Sequence, residues 1–152
     1  MDSGYIAAGV FIDLQKAFDT VNHQILCDKL AYYGFRGKAL NLIQSFLTNR
    51  KQVVSINGFE SSKLDITCGV PQGSTPGHLL FLLYINDLKF CLNKSSSNHF
   101  ADDTCLIYAS KKIKTLETIL NTDLKATSEW LKANGLSLNV KECQLIIFHS
   151  KY

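Results

Sequence analysis

Phe100-Ala101-Asp102-Asp103-Thr104 sets two adjacent carboxylates at the mouth of an apolar run, Cys105-Leu106-Ile107-Tyr108-Ala109, which reads as a buried strand. Carboxylates so placed repel each other, and a cation between them removes the repulsion. A further acid, Asp13, ends a similar run, Ala7-Ala8-Gly9-Val10-Phe11-Ile12. Three carboxylates delivered by strand ends suit Mg²⁺, which takes a few carboxylates together with substrate phosphates. In two-metal phosphoryl-transfer sites the ions lie about 3.5–4 Å apart. Metal-assisted phosphoryl chemistry is what these residue types and positions point to.

Taken singly, each candidate has an ordinary explanation. Asp is common in hairpin turns, and Asp13 reads equally as the close of a strand. Pro71-Gln72-Gly73 reads as a turn into a helix, Phe18 as core, and Lys141 as a solvated strand-end lysine. Their order and separation carry the functional reading.

The elements that must position them follow from the hydrophobic pattern. Tyr5 to Ile12 is apolar on both faces, as a central strand is. Asp19 or Thr20 is expected to cap a helix from Val21 to Tyr33 that stops at Gly34. A second helix is expected over Ala39 to Leu47, with Leu40, Ile43 and Leu47 on one stripe. Gln52 to Ile56 and Phe59 to Thr67 flank Asn57-Gly58, a type I′ hairpin pair. After the Gly69 to Ser74 loop an apolar helix is expected from Leu79 to Leu88. Ser95 to Asn98 reads as polar punctuation before a hairpin at the Asp-Asp pair. A long amphipathic helix carries Ile113, Leu116, Leu120, Leu124, Thr127 and Leu131 and closes at Gly135. Leu136 to Val140 and Gln144 to Phe148 read as two last strands. Strands and helices interleaved in this order predict an α+β fold, a split β-α-β sheet covered by helices on one face and open on the other.

With 152 residues, one domain is expected. Hydrophobic residues at 46% and charged ones at 19% argue against disorder. The net charge of +3 permits nucleic-acid contact without arguing for it, and the one tight basic cluster, Lys111, Lys112 and Lys114, reads as a solvated helix face. Five scattered cysteines without a Cys-x-x-Cys pair suggest neither a zinc site nor a disulfide framework, and reduced thiols fit an intracellular setting. No secretory leader is evident, and the greasiest run, Leu79 to Ile85, is too short to span a membrane. A soluble domain without a membrane partner is expected.

Together the pieces resemble the palm domain of reverse transcriptases, in particular those of non-LTR, LINE-like retrotransposons. Phe11-Ile12-Asp13-Leu14-Gln15-Lys16-Ala17-Phe18-Asp19-Thr20-Val21-Asn22-His23 is similar to motif A of that family. Gly69-Val70-Pro71-Gln72-Gly73-Ser74, continued by Leu79 to Leu88, is similar to motif B. Phe100-Ala101-Asp102-Asp103 resembles motif C, and Gly135-Leu136-Ser137-Leu138-Asn139-Val140-Lys141 resembles motif D. The resemblance covers nearly the whole chain.

It implies a polymerase palm over residues 1–152, with an antiparallel, ferredoxin-like sheet packed on one face by helices. Asp13, Asp102 and Asp103 would hold two Mg²⁺ ions, with the Leu14 carbonyl as an extra ligand. Lys141 would protonate the pyrophosphate. Ala17, Phe18, Gln72 and Gly73 would contact the incoming nucleotide, Phe18 as a steric gate against a 2′-hydroxyl. The implied partners are an RNA template, a DNA primer, dNTPs and the rest of a retroelement polyprotein, and the implied site of action is the nucleus. One departure is Ser74-Thr75-Pro76-Gly77-His78 where the family usually reads Ser-Ile-Leu-Gly-Pro; a proline at 76 is expected to distort the nucleotide loop. Fingers and thumb are expected to lie largely outside these residues, so this chain alone is expected to polymerise poorly. The alternatives are an inactive relic that keeps the palm as a binding or structural domain, and an RNA-dependent RNA polymerase or primase-like palm, which Phe18 disfavours.

Overall fold

The computed structural model describes residues 4–100 and 103–149; Asp102, one of the three acids above, lies outside the described residues. Along the chain run β1 (Ile6–Ile12), α1 (His23–Tyr32), α2 (Gly37–Leu47), β2 (Lys51–Gln52), β3 (Ser55–Ile56), β4 (Phe59–Glu60), β5 (Leu64–Asp65) and α3 (Thr75–Ile85). A 3₁₀ turn (Leu88–Cys91), β6 (Ser96–Phe100), β7 (Asp103–Ser110), α4 (Ile113–Ala133) and β8 (Gln144–His149) complete it. Two compact units emerge: Met1–Ala17 with Ile85–Tyr152, and Phe18–Tyr84.

The first unit is built on a four-stranded antiparallel sheet of order β6-β7-β1-β8, the strand order expected of a ferredoxin-like layer. The period of two along β1 divides its side chains between the faces. Ala8, Val10 and Ile12 are buried, as are Leu106 and Thr104 across the β1–β7 pair. On the opposite face Phe11, Ile107 and Ile146 stay exposed. α4 packs along β1 and β7. Its buried residues, Leu116, Ile119, Leu120, Asp123, Thr127 and Leu131, recur at three- and four-residue steps, so one stripe faces the sheet.

Asp123 is the one acid in that stripe, fully buried on α4. Its carboxylate accepts the backbone N–H groups of Asn93 (2.7 Å), Lys94 (3.2 Å) and Ser95 (2.7 Å). Burial pushes its pKa up, but the Ser95 side chain and these N–H groups outweigh burial and hold it below the ordinary value of 3.8. A buried charge is tolerated here because it satisfies three donors of the segment leading into β6.

In the second unit α1 packs on α2. α1 is capped by Asn22, whose side chain accepts from Gln24 N at 2.9 Å and Ile25 N at 3.1 Å. The expected cap at Asp19 or Thr20 is therefore corrected; an Ncap must present its oxygen to the N2 and N3 amides, and Asn22 does so. The helix stops at Gly34, where Phe35 N bonds Leu30 O and Gly34 N bonds Ala31 O, the paired Schellman bonds. The hairpin forms in two short ladders, β3–β4 and β2–β5. Asn57 and Gly58 turn it with φ of 50° and 82°, both positive as type I′ requires.

Three expectations need adjustment. Ser96–Phe100 is a strand rather than punctuation: it lies at the sheet edge, where polar residues are tolerated. Leu136 to Val140 is not a strand. It makes a single bridge, Leu14 with Leu138, and then turns back through Glu142 N and Cys143 N to Asn139 O. α3 begins at Thr75, not Leu79, because Ser74 Oγ accepts Gly77 N (3.1 Å) as a cap. Pro76 thus falls in the first helical turn, where its missing N–H withdraws no bond. Among the described residues no helix is long and apolar enough to cross a membrane.

Candidate active site

Asp13 follows the last residue of β1 and Asp103 opens β7. The terminal pair of that ladder is Ile12 with Thr104, so the two acids lie one step beyond it on neighbouring central strands. Both line one recess of about 360 Å³ in the first unit, together with Phe11, Asn98, His99 and Glu142. Among the described residues its lining holds three carboxylates and no lysine or arginine. No three His, Cys, Asp or Glu side chains among the described residues converge as a chelating cluster. Asp13 and Asp103, in a recess with no lysine or arginine in its described lining, nevertheless fit a hard cation that takes one or two carboxylates and fills its shell from phosphate and water.

The backbone beside Asp13 is fixed by the neighbouring segment. Asn139 N donates to Asp13 O and Gln15 N to Ser137 O, both at 2.9 Å. These bonds flank the Leu14–Leu138 bridge and run through the carbonyls of Asp13 and Ser137, not that of Leu14. Lys141 is exposed in the turn that follows; the residue of that turn lining the acid recess is its neighbour Glu142. His99 was also invisible to sequence reasoning. Its ring nitrogens lie 3.0 Å from Thr104 Oγ1 and 3.2 Å from Ser97 Oγ. Burial, then the Lys89 charge, push its pKa down. The alternation of β6 would have exposed His99 had Ser96–Phe100 been read as a strand.

The second unit gathers the other candidates. Phe18 is half-buried, stacked on Phe81 with ring centroids 4.5 Å apart and edge-on to His78 at 5.2 Å. Val70 N bonds Phe18 O, and Gly69 N bonds Val21 O, both at 2.8 Å. Gln72 and Gly73 are exposed, and Gln72 Nε2 donates to Asp19 Oδ1 at 2.9 Å. Gly69 permits this approach: a Cβ there would come within 2.8 Å of Asp19 O. Gly77 is equally constrained, since a Cβ would run into the Pro71 carbonyl oxygen. Ala17, by contrast, is buried at the edge of the first unit.

Comparison with known proteins agrees with this fold. Residues 3–151 match the model of the family described as reverse transcriptase (RNA-dependent DNA polymerase). The RNA-directed DNA polymerase from mobile element jockey of Drosophila melanogaster is 30% identical, over 99% of this chain and 17% of its own length. The probable RNA-directed DNA polymerase from transposon X-element of the same species is 29% identical, with the same coverage. A Pol polyprotein from the type-1 retrotransposable element R2 of Popillia japonica is 26% identical over 90% of this chain and 24% of its own. These relatives bear out the resemblance to non-LTR elements, and the chain spans about a sixth of the length of the first two. A telomerase of Candida tropicalis, solved with a fragment of telomeric RNA, shares the fold with a TM-score of 0.70 at 13% identity, over 96% of this chain and 26% of that one. A candidate acid pair on the central strands of a palm-type sheet, and a family match over almost every residue, lead to one conclusion: this chain belongs to the reverse transcriptase family.

Proposed function

We propose that this chain is the palm segment of an RNA-directed DNA polymerase from a non-LTR retrotransposon, acting within a longer polyprotein on an RNA template, a DNA primer and dNTPs. The observation that carries the reading is the placement of Asp13 and Asp103 in one recess at the ends of β1 and β7. Asp13, Asp103 and Asp102 would hold two Mg²⁺ ions, with the Leu14 carbonyl as a further ligand. What magnesium supplies when bound is activation of the primer 3′-hydroxyl and neutralisation of the departing pyrophosphate.

The chain's own residues do the rest. Phe18 excludes a sugar bearing a 2′-hydroxyl, its ring braced by Phe81 and His78. Gln72 orients the nucleotide with Gly73 beside it, and Lys141 gives a proton to the leaving group. The proposed site of action is the nucleus.

Primer extension on an RNA template with Mg²⁺ and dNTPs tests the reading, in this chain and in a polymerase that carries it with its flanking regions. Extension by the wild type that is lost in Asp103→Asn supports it. A flanked wild type no more active than Asp103→Asn would identify an inactive relic instead.

A further inference from the structure

Asp19 has no part in the metal reading and does not cap α1, yet its carboxylate is engaged. It accepts the side-chain amide of Gln72 across the chain, at 2.9 Å. Four bonds join residues 18–23 to residues 69–72. Two are backbone bonds, Val70 N to Phe18 O and Gly69 N to Val21 O. The other two use side chains: Gln72 to Asp19, and the His23 ring Nε2, 2.7 Å from Gly69 O. A carbonyl can only accept, so Nε2 carries the proton in that contact. The space at Gly69 is closed by Asp19 itself, so the two segments are in backbone contact.

We infer that Asp19 and His23 are positioning residues that fasten the Phe18 turn to the Gln72 loop, so that sugar discrimination and nucleotide orientation are set by one rigid piece. The inference rests on the nucleotide reading of Phe18 and Gln72 given above. An exposed glutamine samples several rotamers. A charge-assisted bond to a carboxylate selects one of them and ties it to the backbone that bears the aromatic gate. Loss of the tie therefore degrades two properties at once, the affinity for a nucleotide and the preference for the deoxy sugar.

The test uses the full chain and two readouts. The first is the Gln72 side-chain amide signal in ¹⁵N-resolved NMR, which needs no nucleotide. The second is the affinity for dATP against ATP, each with Mg²⁺. In Asp19→Ala the Gln72 signals should move to the values of a freely rotating glutamine. dATP affinity should fall roughly tenfold, as for loss of one charged hydrogen bond, and the dATP preference should shrink. Asp19→Asn keeps an acceptor oxygen and should restore both to within about twofold of wild type. Adding Asp19→Ala to Gln72→Ala should change affinity no further, since the shared partner is already gone. Unchanged Gln72 signals and an unchanged preference in Asp19→Ala, with only melting temperature lowered, would overturn the inference. A wild type that binds neither nucleotide refutes the nucleotide reading, while the amide signals still decide the tie.

Discussion

Phe18 is a half-buried ring with aromatic neighbours on two sides, and its two proposed contributions separate on substitution. Phe18→Ala should admit ribonucleotides, raising rNTP use relative to dNTP by tenfold or more in an active polymerase context, a change that competition assays would read. It should also lower stability by about 1–3 kcal/mol through lost packing. A loss of stability with unaltered sugar preference would remove the gate from Phe18. For the acids, Mn²⁺ as a spin probe should bind the wild-type chain, and binding should weaken by at least about tenfold in Asp13→Asn or Asp103→Asn. Equal Mn²⁺ binding in both variants would rule out the recess as the metal site. At this scale the sequence put Asp13 and Asp103 forward through their positions at the ends of apolar runs, and the structure brings both to one recess. The sequence cast Asp19 as a helix cap, because the partner that the carboxylate takes lies 53 positions away, and it was silent on Glu142, which lines the recess from the turn after Asn139.

Among the elements, α4 was the most legible because its apolar spacing persists over 21 residues, long enough for the period to outweigh single exceptions. Leu136 to Val140 misled because alternation shows what a strand could bury, not whether a neighbour supplies a ladder. Ser96–Phe100 was missed for the converse reason: an edge strand needs little hydrophobicity. Asp123 makes an element-level prediction. Asp123→Ala leaves the N–H groups of Asn93, Lys94 and the buried Ser95 without their acceptor and opens space in the α4 stripe, and it should destabilise by about 2–4 kcal/mol in urea unfolding. Its folded-state pKa is depressed. The stabilisation it gives is therefore complete above the ordinary carboxylate value and disappears as pH falls through the lower folded value. The gap between wild type and Asp123→Ala should narrow over that acidic range; a gap constant with pH would refute the charged role. Gly77→Ala should lower stability by about 1–3 kcal/mol, since α3 can admit a Cβ only by displacing the Pro71 carbonyl. A melting temperature equal to wild type would show that the loop yields freely.

At the scale of the whole molecule, the edge strand β8 is exposed along its length and carries Leu145, Ile146, Ile147 and Phe148. Unpaired backbone combined with apolar side chains favours pairing between copies. Sedimentation at rising concentration should show self-association, reduced in Ile146→Lys; a concentration-independent monomer would count against it. The order of the sheet also bears on how the protein comes into being. β1 leaves the ribosome before either of its partners, β7 and β8, so its first ladder closes a loop of roughly a hundred residues. Until β7 is made, the strand leading to Asp13 is an apolar segment with neither neighbour in place. A nascent chain stalled before residue 103 therefore holds the first acid without the sheet that would seat it, and is exposed to aggregation for as long as it waits.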